Sequence, residues 1–300
     1  MATNVESALN PRLEARGPWP FTVLRFVRRW PLVPAIIIVL LIVAAVFAPL
    51  ISPADPLKTH IRERNTPPFW AADGSARNLL GTDVLGRDIL SRIIFGARIS
   101  LMVAAVVLSA GTVLGTVVGI IAGYFGGIVD ELIMRFVDFT LAIPFILVAL
   151  VVVAAVGQSL TIVMLLLIML SWNFFARQIR AETLQLKATE YVSLARVAGA
   201  SNWRIMYRHI LPGVTSTIMV LASLRVGQLI LTEAILSFLG AGIPPPTPAW
   251  GLMISEGRDY LGTAWWIAFF PGMAIFLTVV GFNFLGDWLR DWFDPQLRQI

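Results

Sequence analysis

The sequence predicts an all-α integral membrane protein with six transmembrane helices, a long external loop before the second span and a polar loop between the fourth and fifth. Three observations carry this. Hydrophobic residues make up 57% of the 300 positions and charged residues only 14%, with a mean hydropathy of +0.80, which no ordinary soluble domain matches. Six apolar stretches reach bilayer-spanning length. Arginine supplies most of a formal charge of +5 and is concentrated between the stretches, in no tract suited to nucleic acid.

The expected spans are Pro34–Ile51, Leu101–Gly123, Phe136–Val156, Leu160–Ala176, Val214–Leu239 and Ala264–Leu285. The first is not a cleavable signal, since it starts far from the N-terminus and five more follow. Arg25, Arg28 and Arg29 precede it, so residues 1–33 are expected in the cytoplasm. Residues 34–300 then form one membrane domain. Its loops are 52–99 and 240–263 outside and 177–212 inside, and the tail 286–300 is inside. The 52–99 loop carries basic residues too, but it is long and also acidic, and long loops obey the charge rule poorly.

The 177–212 loop is neither span nor catalytic loop. Tyr191, Leu194, Ala195 and Ala198 share one helical face, and Trp203, Met206, Tyr207 and Ile210 repeat the spacing. Gly199 breaks the pattern, Ser201 or Asn202 can cap the second helix, and Pro212 is expected to stop it before the next span. Two short surface helices with a kink follow. Two roles are open to them, packing element or docking site for another protein.

This stretch resembles the cytoplasmic coupling-helix loop of ATP-binding-cassette importer permeases, with pattern E-A-A-x3-G-x9-I-x-L-P. Ala195, Gly199, Leu211 and Pro212 match it. Ser193 stands at the Glu position, Leu194 at the first Ala and His209 at the Ile; Glu190 or Arg196 is left to supply a charge contact to an ATPase. A second block, Leu80-Gly81-Thr82-Asp83-Val84-Leu85-Gly86-Arg87-Asp88, resembles the second membrane subunit of dipeptide and oligopeptide importers. So do Trp250–Ile254, Phe270–Ile275 and the ending Asn283–Pro295. From Ile89, apolar residues Leu90, Ile93 and Ile94 suggest a helix along the outer interface before the second span. Gly81, Thr82, Asp83, Gly86, Arg87 and Asp88 either help receive substrate or pin the loop by local bonds.

Within the spans, Gly111, Gly115, Gly119 and Gly123 form a smooth ridge for close helix packing, against this chain or a partner permease. Arg225, Gln228 and Glu233 lie on the fifth span, where charge is costly and marks a bundle interior or a water-filled path. Arg225 and Glu233 are too far apart for a helix-turn ion pair. They line a translocation route where Arg225 meets a substrate carboxylate, or they make interhelical bonds, or Arg225 snorkels to the inner interface. Asn173 is expected to bond a neighbouring helix.

The chain has no cysteine and no phosphate-binding loop, and its two histidines, His60 and His209, form no metal-binding helix motif. It is therefore expected to be no enzyme and to hold no cofactor or metal. The resemblance implies a prokaryotic inner-membrane permease subunit that works by alternating access. Its implied partners are a second homologous permease, two ATP-binding subunits that hold ATP and Mg, and an extracellular or periplasmic substrate-binding protein. Di- or oligopeptides are the implied substrates; nickel or another small solute is the alternative. A self-sufficient secondary transporter is the rival from another class, against which stands the lack of an internal repeat with paired broken helices.

Overall fold

The computed structural model describes residues 32–293; Arg25, Arg28, Arg29 and the last residues of the expected inner tail lie outside them. Regular structure among the described residues is helical, with a single isolated bridge between Thr82 and Asp88. In chain order the helices are α1 (Leu32–Val46), α2 (Ala48–Ile51), α3 (Ile89–Phe125), α4 (Gly127–Ala142), α5 (Phe145–Val156) and α6 (Leu160–Lys187). After them come α7 (Glu190–Val197), α8 (Asn202–Ile205), α9 (Leu211–Phe238), α10 (Trp250–Gly257) and α11 (Trp266–Phe293). The end of the bundle that carries residues 52–88 is called upper below.

Four helical runs are long and apolar enough to cross a membrane: α3, α6, the run Asn202–Phe238, and α11. The α4–α5 pair makes a fifth if taken as one span, bent by 79°. Proline explains the bend. Pro144 has no N–H to give the α4 ladder, and it holds Ile143 in an extended conformation. The expected straight span Phe136–Val156 is thus two helices. The expected first span is also two pieces, α1 and α2, interrupted at Phe47.

Two further expectations need correction. No separate interfacial helix precedes the second span, because α3 runs unbroken for 37 residues from Ile89. Asp88 caps it, its carboxylate accepting from the Ser91 N–H at 2.8 Å and the Ser91 hydroxyl at 2.6 Å. Buried Ile89 and Ile94 pack inward, so the apolar side read as facing lipid faces the protein. Nor does Pro212 stop the loop helix. It sits in the first turn of α9, and the helix continues from α8 through a π-helical turn, Met206–Ile210. There the Leu211 N–H donates to the Met206 carbonyl, one residue further back than in an α-helix. Widening the helix by one residue accommodates a proline that cannot donate.

The most extensive packing is between α3 and α6. Gly111, Gly115, Gly119 and Gly123 face Ser171, Trp172, Ala176 and Thr183 in turn, so the ridge serves this chain's own helix. A methyl group at Gly115 would lie 2.5 Å from the Trp172 carbonyl oxygen, and one at Gly119 would lie 2.6 Å from that of Ala176. The two backbones therefore touch along several turns, the geometry that small residues permit in a membrane. Asn173 adds a polar tie to α4, donating to the Thr140 hydroxyl at 2.8 Å as expected. At the lower end of the same two helices, Arg180 forks onto Asp130 with bonds of 2.8 and 2.5 Å.

Gly115→Ala should lower the stability of the purified protein by about 1–3 kcal/mol through overpacking against backbone that cannot retreat. Gly262→Ala, where a methyl group meets nothing within 4 Å, should leave the thermal unfolding midpoint unchanged. Equal midpoints for the two variants would remove the ridge as the determinant of this contact.

Candidate functional site

Three groups of expected site residues occupy three levels of the bundle. At the lower end, α7 and α8 form the kinked pair. Gly199 supplies the kink at φ +80°, a conformation an L side chain adopts only with strain. Its N–H donates to the Arg196 carbonyl at 3.0 Å and the Ala200 N–H to that of Ala195 at 3.1 Å, closing α7 with a Schellman motif. Ser201 caps α8 by accepting from the Arg204 N–H.

The expected apolar faces divide differently. Val192 of α7 and Ile205, Met206 and Ile210 below it are buried, and they pack with Ile120 and Tyr124 of α3, Ile179 of α6 and Val214 of α9. Ala195 and Leu211 join the edge of this cluster. Tyr191, Leu194, Trp203 and Tyr207 point outward instead, together with Val197, which is 87% exposed. Glu190, Ser193, Arg196, Ala198 and Pro212 are exposed as well. One side of the loop is therefore seated on three spans while its other side presents five large apolar residues.

Tyr124 was not foreseen, and it holds the seat together. Its hydroxyl donates to the Asn202 side-chain carbonyl at 2.8 Å, and Arg196 and Lys187 lie over its ring at 5.9 and 5.7 Å. No motif marks it; its only signal is an aromatic residue directly after the last ridge glycine. His209 packs beside Tyr191, ring centres 6.2 Å apart.

At the upper end, Asp83 is fully buried and central. Its carboxylate accepts from the N–H groups of Leu85 and Arg87 at 2.8 and 2.9 Å, from Arg87 Nε at 2.6 Å and from Arg92 Nη1. Both arginines also reach Glu256 of α10, at 2.9 and 2.7 Å. Two buried cations thus meet two anions, and the 52–88 segment is tied to α3 and α10. Indole N–H groups reinforce it, Trp266 donating to the Thr82 carbonyl at 3.2 Å and Trp250 to that of Ile93 at 3.0 Å. Gly81 lies under the Trp266 ring, and Gly86, at φ +73°, lets the backbone of His60 approach. Asp83, Arg87 and Asp88 spend their side chains on internal bonds, which is the loop-pinning arrangement. Arg92 and Glu256 belong to this cluster although spacing alone could not join them.

Midway along the bundle, Arg225 lies over the Phe174 ring of α6 at 4.1 Å and donates to the Gln228 side chain. Glu233 is separate. It is buried, accepts from the Ser237 hydroxyl at 2.6 Å, and Ser237 in turn accepts from the Ile243 N–H at 3.1 Å. Glu233 thereby fastens the segment that follows α9. Among the described residues, no group of three His, Asp or Glu side chains converges on a metal site.

Asp83→Asn should destabilise the protein by roughly 3–5 kcal/mol, since it leaves two buried guanidinium groups short of an anion. Glu256→Gln should cost less, because its side chain is 19% exposed and water can compensate. Thermal unfolding of the two variants orders them; the reverse order would displace Asp83 from the centre of the cluster.

The model of binding-protein-dependent transport system inner membrane components matches residues 115–299, more than half of the chain. The N-terminal transmembrane domain of oligopeptide transport permease C matches residues 24–68. The glutathione transport system permease protein GsiD of Pectobacterium atrosepticum is 44% identical over 285 residues, 94% of this chain and 93% of that protein. The dipeptide transport system permease protein DppC of Escherichia coli K12 is 44% identical over 87% of both chains. The di/tripeptide permease DppC of Pseudomonas aeruginosa is 40% identical over 86% of both. With its kinked loop seated on three spans and its pinned upper segment, this chain belongs to the binding-protein-dependent inner-membrane permeases of ATP-binding-cassette importers, in the dipeptide and oligopeptide branch.

Proposed function

We propose that this chain is one membrane subunit of an importer that carries di- or oligopeptides into a prokaryotic cell by alternating access. Separate ATPase subunits, which bind the ATP and Mg, drive it. The observation that carries this reading is the two-sided loop: Val192, Ile205, Met206 and Ile210 weld it to α3, α6 and α9, while Leu194, Val197, Trp203 and Tyr207 stand free on the opposite side. A lever needs both properties. A push on the exposed side reaches the spans only if the loop cannot slide on its seat. Gly199 fixes the angle between the two helices, and Glu190, Ser193 and Arg196 rim the apolar patch.

The lower end is assigned to the cytoplasm because Arg177, Arg180, Lys187, Arg196, Arg204 and Arg208 gather there, which puts both termini inside. The upper segment, held rigid by Asp83, Arg87 and Asp88, then faces the substrate-binding protein. A second permease completes the pathway, which Arg225 and Gln228 line. Glu233 is assigned to holding the upper loop. The absence of a phosphate-binding loop supports a transport subunit without its own ATPase site. Peptide is chosen as substrate because the relatives are named for dipeptide, di/tripeptide and glutathione transport.

Leu194→Glu combined with Val197→Asp should weaken retention of the ATPase subunits about 10-fold or more, as loss of a central apolar contact does. Affinity purification of the tagged complex reads this out. The second permease should still co-purify, since neither residue is packed within the chain. Wild-type ATPase retention would sink the docking role.

A further inference from the structure

The middle of the bundle holds a positive charge without a counter-ion. Arg225 has two neighbours, Gln228 on its own helix and the Phe174 ring on α6; its Nε is buried without a hydrogen-bond partner, and among the described residues no carboxylate pairs with it. It lies 14 residues into the 28-residue α9, about 21 Å from either end at 1.5 Å per residue. Its guanidinium is taken up by Phe174 of α6 and by Gln228, which lies one turn further toward the upper end, so it does not reach toward the lower interface as a snorkelling arginine would.

The surroundings are shaped for an anion. Gln228 is exposed and Phe174 and Thr232 are half-exposed, and Arg225, Gln228 and Thr232 recur at three- and four-residue intervals along one face of α9. Glu233, the nearest acid in sequence on this helix, is turned about 80° away by the helix geometry and is buried against the upper loop. The ring of Phe174 lies against the guanidinium and Gln228 takes one of its N–H groups, while no acid among the described residues takes the others, the donors with which arginine binds a carboxylate.

We infer that Arg225, positioned by Phe174 and Gln228, is a subsite within the bundle for a carboxylate of the transported peptide. This rests on the peptide-importer reading and deepens it. A peptide's terminal carboxylate would meet here a partner that compensates its desolvation between the spans. The contact is transient by design, since one cation shared with a glutamine and a ring holds an anion without the closure of a full binding pocket.

The absence of cysteine from this chain allows a direct test in the reconstituted complex with its ATPases, second permease and binding protein, each of these made free of cysteine accessible to the reagents. In Arg225→Cys, peptide uptake per ATP hydrolysed should fall about tenfold, the equivalent of one lost charge-assisted contact. A trimethylammonium methanethiosulfonate reagent should restore most of it, a sulfonate reagent none, and the wild-type complex should respond to neither. Uptake that stays normal in Arg225→Cys, or that recovers equally with both reagents, overturns the subsite. Loss of the second permease from the variant complex also overturns it, by assigning the charge to a subunit contact. If Arg225→Cys does not fold, as judged by loss of the chain itself from the membrane, Phe174→Leu and Arg225→Lys carry the test: a substrate role lowers uptake per ATP, and a merely structural role lowers uptake and hydrolysis together. A wild-type complex that takes up no peptide removes the importer reading itself, which normal uptake by the variant does not.

Discussion

Backbone contact between α3 and α6 is the constraint on which the other features depend. Most helix pairs in a bilayer have little to draw them together, because lipid tails solvate leucine as well as another helix does. Four glycines at one-turn intervals remove the side chains that would hold these two apart. Dispersion contacts accumulate along the whole seam. The consequence reaches both faces of the membrane, since α3 is 37 residues long and so spans about 55 Å. At its upper end it carries Arg92 into the buried ion cluster. At its lower end it carries Tyr124 under the loop, and α6 brings Ile179 to the same place. The pinned upper segment and the seat of the loop are the two ends of one packed pair.

The buried ion cluster and the lower seat differ in how they resist movement. Two arginines shared between Asp83 and Glu256 form a directional network in a place where an unpaired charge is expensive. Such a network fixes geometry more than it adds stability. The lower seat is mostly apolar, with one hydrogen bond from Tyr124 to Asn202. The network holds by the direction of its bonds and the seat by close apolar packing that leaves the loop no room to slide. A rigid cap above and a seat below that can transmit displacement suit a protein that must move at one end and receive at the other.

Much of this was legible in the residues, and the errors share a physical origin. Four long apolar helices and the kinked loop followed from hydropathy and from Gly199, because hydrophobic length and positive φ are local properties, whereas two of the six expected spans are broken in two. The outward face of α7 was harder. Tyr191, Leu194, Ala195 and Ala198 do form one apolar stripe, yet the buried residue is Val192, since periodicity locates a stripe without saying what covers it. In a protein bounded by lipid, by its own helices and by partners, an apolar face has three possible neighbours. Proline misled in opposite ways: Pro144 broke a helix expected to be straight, and Pro212 failed to end one because a π-turn absorbed it. Partners distant in sequence, such as Glu256 for Arg92 or Phe174 for Arg225, left no local signal at all.

The fate of the polar residues on α9 shows how tertiary context separates residues that sequence groups together. Arg225, Gln228 and Glu233 look equivalent along the chain, each a costly residue within an apolar run. Glu233 is enclosed, with one oxygen hydrogen-bonded to Ser237, which in turn receives the Ile243 N–H, so it ties the fold together. Arg225 meets only a glutamine of its own helix and a ring, and no acid among the described residues. A fold that needed this charge only for its own cohesion would supply an acid, as it does for Arg92 and for Arg180. Among the described residues the bundle pairs buried Arg92 and half-buried Arg180 with acids and leaves Arg225 without one, between spans where meeting an anion gains more than it does in water.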